Sequence, residues 1–258
     1  MKNFNIELPE SLEKFKDRIK KTIKPYVKIK LKEQETKLWE SKLGGNPYLE
    51  NGMEYPKAFN GEYLRLLAQI NFEEVPHLET FPEKGILQFF ILADDVYGFN
   101  EPCIQDTFRV IYISNVEKNE ENLIKDFSFL GELEEDWYMP FSNEGKMSFS
   151  LECMPIPWGE YRFNNVYRDM SLTDEEEEEY VEKLNIDGCK IGGYATFTQY
   201  DPRDDEKLSN FNTLLLQLDC EKECDLMFGD AGIANFFINE EDLKKLDFSR
   251  ILYNWDCC

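Results

Sequence analysis

The chain has 258 residues, 42% hydrophobic and 14% aromatic, with 52 acidic side chains against 29 basic ones and a formal net charge of −23. That aromatic content excludes wholesale disorder. The charge, about one uncompensated negative per 500 Å² of expected surface, opposes the phosphate attraction that underlies most non-specific nucleic-acid binding, so nucleic acid is not an expected partner.

Pro9 opens and Pro25 closes an amphipathic helix whose stripe is Leu12, Phe15, Ile19 and Ile23. Val27, Ile29 and Leu31 then alternate with Lys28, Lys30 and Lys32, which predicts a half-buried strand. Between Leu12 and Lys32, nine basic residues face two acids, a local +7. Gly44-Gly45 and Asn46-Pro47 predict a tight turn. Strands are expected at 64–70, 85–92, 107–113 and 146–151, with an acidic turn at Asp94-Asp95. Thr173 and Glu176 form a capping-box signature ahead of a helix that starts with six acids, Asp174 to Glu179, and has Tyr180, Val181 and Leu184 as its apolar face. Asn239 is expected to cap a short helix running through Leu243 and Leu246.

Three stretches recur in one order. SKLGGNPYL at 41–49 matches CKIGGYATF at 189–197, LLAQIN at 66–71 matches LLLQLD at 214–219, and GILQFFI at 85–91 matches GIANFFI at 232–238. The offset is 148 for the first two pairs and 147 for the third. This predicts an internal duplication of two related units. The Phe89-Phe90 and Phe236-Phe237 pairs predict strands covered on both faces, because adjacent strand residues point opposite ways. The fold class expected is α+β, with two related units, a largely antiparallel sheet and peripheral helices. A single compact domain would span 1–258, with a helix and strand at 9–32, the first unit at about 41–92, a connector at 93–188 and the second unit at about 189–248.

Chemistry-bearing motifs are sparse. The one histidine, His77, sits in a polar turn. No phosphate loop or EF-hand sequence occurs, and Cys220 and Cys224 have no matching knuckle, so neither metal nor cofactor is expected. The seven cysteines are odd in number. With no apolar leader core or 18-residue apolar run, they predict a cytoplasmic chain with reduced thiols and no membrane association. Candidate ligand-binding residues are Gln69 and Gln217, set in apolar strands, Asp201 with Arg203, whose fork suits a small polar ligand, and Asp230 in a glycine turn. Trp137, Tyr138, Trp158, Tyr161 and Arg162, in two aromatic loops, are candidates for a protein interface or for packing between the halves.

SKLGGNP at 41–47, LLAQI at 66–70, GILQFF at 85–90, GGYATFTQYDPR at 192–203, LLLQLD at 214–219, FGDAGIANFFI at 228–238 and EDL at 241–243 together resemble the YwqG-like proteins, a bacterial family of unknown function. The resemblance implies a duplicated α+β fold with extensive antiparallel sheet. It also raises the prospect of an immunity-like or toxin-associated role. Phe228 stands where the family usually has Trp, and Cys189 where relatives carry His, so any chemistry resting on that histidine would be altered here. The expected function is a non-catalytic protein-binding module with a basic protein partner. The alternative is an enzyme or sensor of a small polar ligand using a cleft between the two repeats.

Overall fold

Strand β1 (Lys24–Glu33) buries Val27, Ile29 and Leu31 and leaves Lys30 and Lys32 outside, as its alternation requires. In this computed structural model, which describes residues 8–133, 138–168 and 170–258, β1 pairs antiparallel with β6 (Gly145–Met154) along its whole length, from Lys24 opposite Met154 to Glu33 opposite Gly145. The two form the middle of a ten-stranded antiparallel sheet. On one side of β6 lie β2 (Lys42–Leu43), β3 (Arg65–Asn71), β4 (Ile86–Ile91) and β5 (Phe108–Ile113). On the other side of β1 lie β7 (Lys190–Gly192), β8 (Thr213–Leu218), β9 (Ile233–Ile238) and β10 (Leu252–Asp256). Each short strand therefore sits beside the long strand that is not its nearest predecessor in the chain: β2 pairs with β6, and β7 with β1.

A sheet this wide curls rather than staying flat, and here its two ends meet face to face. The ring of Phe89 on β4 lies 4.9 Å from Phe236 on β9, and Phe108 on β5 lies 5.3 Å from Tyr253 on β10. Phe236 stacks on Tyr253 at 4.5 Å. These aromatics join Val27, Ile29, Leu31 and Met147 in one continuous core. The second phenylalanine of each pair points away: Phe90 packs with Leu64, Leu66 and Leu92, and Phe237 with Ala195, Leu214 and Leu252. All four phenylalanines are buried, as their adjacency predicts. Each edge strand gives one of its outward backbone N–H groups to the β4–β5 loop. The loop between β4 and β5 receives a hydrogen bond from Tyr253 N to Pro102 O at 2.8 Å, and Gln105 Oε1 accepts one from Val110 N at 2.7 Å.

Three of the helices lie together at one end of the central pair. A 3-10 turn (Glu10–Phe15), which buries Leu12, runs into α1 (Lys16–Thr22), which buries Ile19. They pack with α2 (Phe163–Val166) and α3 (Asp174–Leu184) around Tyr26, Met154, Tyr167, Tyr180 and Tyr194. The capping box of α3 is formed, with Thr173 and Glu176 bonding reciprocally. The fold is thus α+β, a large curled antiparallel sheet with peripheral helices.

Three expectations need correction. Val181 is exposed, because the buried stripe of α3 passes through Glu176, Tyr180 and Leu184 instead. Helix α4 (Glu240–Lys244) is capped by Asn239 but stops before Leu246, whose φ of 57° breaks the helix and leaves it exposed. No strand is expected after the short helix capped by Asn239, yet β10 pairs with β9 from Leu252–Phe237 to Asp256–Ile233.

Candidate functional site

Gln69 and Gln217 are fully buried and occupy matching places in the sheet. Gln69 donates to the carbonyls of Leu38 at 2.7 Å and Glu40 at 2.9 Å, and accepts from Tyr48 N at 2.8 Å. Gln217 donates to Gly188 O at 3.0 Å and Thr196 Oγ1 at 2.9 Å, and accepts from Thr196 N at 2.8 Å. On the next strand, Gln88 donates to Tyr48 O at 2.8 Å and Asn235 to Thr196 O at 3.0 Å. Each amide thus ties the loop around a Gly-Gly turn to its strand, and the two glutamines do not share a cleft. Beside each lies a buried lysine. Lys42 opposes Gln69 and donates to Asn46 O at 3.0 Å, whereas Lys190 opposes Gln217 and donates to Ile186 O. Burial pushes both ammonium groups down to about 8.

Asp201 and Arg203 do come together, and they gather Glu160, Tyr161 and Arg162 around them. Asp201 begins a 3-10 turn (Pro202–Asp204) by accepting from Arg203 N at 3.0 Å. Its carboxylate takes both Nε at 2.9 Å and Nη2 at 2.7 Å of Arg203, a bidentate pair. The guanidinium of Arg203 lies 4.0 Å from the Phe237 ring centroid and 4.8 Å from that of Tyr161. Buried Glu160 accepts from Arg162 N and Nε, both at 2.8 Å, and lies 3.7 Å from Arg203. Two cations and two carboxylates therefore leave water together, which is the condition for burying them. Glu160 and Arg162 stand two positions apart, but nothing local marks Glu160 as buried, because Arg203 lies 43 positions away.

Above this cluster opens a cleft of about 360 Å³. Its floor is the Gly192–Gly193 turn, with φ of +70° and +68°, a conformation that only glycine takes without strain. A Cβ on Gly192 would stand 2.5 Å from Leu78 Cδ2, and one on Gly193 2.7 Å from Tyr26 Cβ, so the bare backbone is also what lets the walls approach. Leu78 and Phe81, from the β3–β4 connection, form one wall; Lys24, Arg162, Asn212 and Glu240 form the rest. The Lys24 ammonium lies 4.6 Å from the Tyr194 ring centroid, and the Arg162 guanidinium 5.6 Å from the same ring. Burial, reinforced by Arg162, pushes Lys24 down to about 8. Lys24 and Glu240 were missed in the sequence because they lie 216 positions apart and carry no motif.

The other candidates scatter. Asp230 is exposed in the turn before β9. Trp158 packs on Phe163 at 4.7 Å, Tyr138 is exposed, and Trp137 lies outside the described residues. Trp158, Tyr161 and Asp201 line a second cavity of about 240 Å³. His77 pairs with Glu83 at 2.9 Å on the surface. Cys189 is buried, and burial pushes its thiol up to about 12, which keeps it protonated and unreactive. Among the described residues, no group of three or more His, Cys, Asp or Glu side chains is placed to hold a metal ion, and no helix is long and apolar enough to cross a membrane.

No curated protein matches the chain. A family model described as "Domain of unknown function (DUF1963)" matches residues 41–257, which takes in both Gly-Gly turns, both buried glutamines and every strand from β2 to β10. The chain therefore belongs to this family, the YwqG-like proteins.

Proposed function

We propose that the chain is a non-catalytic binding protein that takes a small polar ligand in the cleft over Gly192–Gly193. The observation carrying this reading is the position of that cleft. It is concave and of ligand size, and it is walled on one side by the β3–β4 connection and on the other by residues around β7, β8 and α4. The Arg203–Asp201–Glu160–Arg162 cluster beneath it supports the reading by holding Arg162 in place, as preorganised recognition requires. A thermal-shift screen of small polar metabolites tests it. A saturable rise in melting temperature that Asn212→Ala, at the cleft wall, weakens is expected, and a rise unchanged in that variant would move the ligand elsewhere.

The two flanks of the sheet are, in the same reading, descendants of one duplicated unit. Register shifts at Leu66/Ala68 in β3 and at Leu214/Leu216 in β8 support this, as do the paired glutamine and lysine contacts. A reducing cytoplasmic setting is supported by the free thiols of all seven cysteines.

A second reading, a protein-binding module for a basic partner with an immunity-like role, is favoured by the net charge of −23. Exposed Tyr138 and Phe129 would offer apolar contacts. Affinity capture at low and high salt tests it: a stoichiometric basic protein released by salt is expected, and its absence at both salts removes the reading.

A further inference from the structure

The cleft contains cationic donors that the chain does not satisfy. Among the described residues, Lys24 Nζ meets no hydrogen-bond acceptor and no carboxylate within ion-pair distance, although the side chain is half buried and its ammonium lies over the face of Tyr194. Arg162 gives Nε and Nη2 to one oxygen of Glu160, which leaves Nη1 without an acceptor. Arg203, behind them, is consumed by Asp201. Three cations thus converge on two buried carboxylates, Glu160 and Asp201. On this wall the cations outnumber those two buried carboxylates by one, and across the cleft the lining carries two further carboxylates, Glu79 and Glu240, so positive and negative groups are separated within it. An ammonium partly withdrawn from water and without a protein acceptor gains more from an anionic partner than a fully exposed one does.

Resting on the cleft reading above, we propose that the missing acceptor is the ligand's own anionic group, a carboxylate or phosphate held between Lys24 and Arg162. Arg162 is the directional partner, since Glu160 fixes its plane and presents its free edge, and Lys24 is a point charge on the opposite side. Glu79 and Glu240 stand at the rim, with Glu240 also paired to Lys244 at 2.9 Å. These carboxylates select against a polyanion and favour a ligand with one anionic head and hydroxyl or ammonium groups behind it. Asn212, whose Oδ1 accepts from Glu240 N at 3.0 Å, keeps its amide N–H groups for such hydroxyls.

Protonation of Lys24 is part of the recognition. The charged groups around it are Arg162 and Arg203, which oppose its protonation, and Glu160 and Glu240, which favour it; burial outweighs them and sets its pKa at about 8. A bound anion restores the proton, so affinity is level below that pH and falls as pH rises through it.

The test uses the intact chain, with the backbone amide signals of Gly192 and Gly193 as reporters. Four probes are titrated: inorganic phosphate, acetate, glucose and spermidine. Saturable shifts of both glycines by phosphate, acetate or both are expected, and the stronger of the two identifies the head group. Lys24→Met should weaken that binding about tenfold or more and Lys24→Arg should restore it. Lys30→Met, the same loss of charge on the exposed face of β1, should leave it within about twofold. Acetate, whose charge is constant above neutrality, should lose affinity between pH 7 and pH 9 in the wild type and not in Lys24→Arg. Shifts by glucose or spermidine without either anion overturn the anion assignment and leave the cleft reading standing. No shift of these glycines by any probe overturns both. Anion binding that Lys24→Met does not weaken overturns the role given to Lys24.

Discussion

Lys42 and Lys190 place ammonium groups where charged side chains are seldom found: both are fully buried, and each donates to one backbone carbonyl. Their stems fill space beside the glutamine seams, and their heads are held near carbonyls rather than ion-paired at close range. Lys190 falls from 10.5 unfolded to about 8 folded, chiefly through desolvation. A depressed lysine destabilises the fold while it is protonated in the unfolded chain. The penalty is therefore complete below about pH 8, shrinks as pH rises, and is gone above about 10.5. At roughly 1.4 kcal/mol per pKa unit this is on the order of 3 kcal/mol. Lys190→Met is thus expected to be more stable than wild type at pH 7, with the difference narrowing towards pH 10. Chemical denaturation of both proteins across that range measures it. The glutamines beside these lysines were legible as buried polar groups needing partners. The lysines were not, because a lysine next to Gly-Gly reads as surface until the loop that covers it is seen.

At the scale of the element, short strands β2 and β7 are held by side-chain amides as much as by their own ladders. Lys42–Leu43 and Lys190–Gly192 have too few residues to pair strongly, and the glycine turns that follow have no side chains to pack. Gln217→Leu would leave Thr196 N buried without its partner, at about 1–3 kcal/mol, and strip the half-buried Gly188 O of its donor. A drop in the denaturation midpoint is expected, together with faster hydrogen exchange at Thr196. Helix α3 depends on a different local device. Removing the capping box by Thr173→Ala should cost about 1 kcal/mol, read from the same midpoint. Elements with a strong local signal, such as this box and the alternation in β1, could be read directly. Strand β10 could not, since LYNWD is half polar and becomes a strand only because β9 offers it an edge and the β4–β5 loop seals its other side.

For the whole molecule, curling brings Phe89 and Phe108 against Phe236 and Tyr253 and closes the core between the ends of the sheet. The same molecule carries −23, and like charges oppose compactness. Salt should therefore stabilise it. Raising ionic strength from about 0.01 M to about 0.15 M shortens the screening length from about 30 Å to about 8 Å, and an increase of a few degrees in melting temperature is expected by calorimetry with a non-binding salt. A melting temperature that falls over this range would mean that ion pairs such as Lys146–Glu40 outweigh the repulsion.

By itself, the sequence determined what short-range physics controls: the alternating strands, the capped helix, the glycine turns, the doubly covered phenylalanines and the membership signalled by its motifs. Those features depend on residues within a turn or a strand of one another. Only the tertiary structure decided which long strand each flank would join, that the sheet's ends would meet, and that Lys24, Arg162 and Glu240 would line one cleft over Gly192–Gly193. The reason is that strand pairing and curl are set by the summed burial of distant apolar faces. Charges brought together by that closure leave no pattern along the chain.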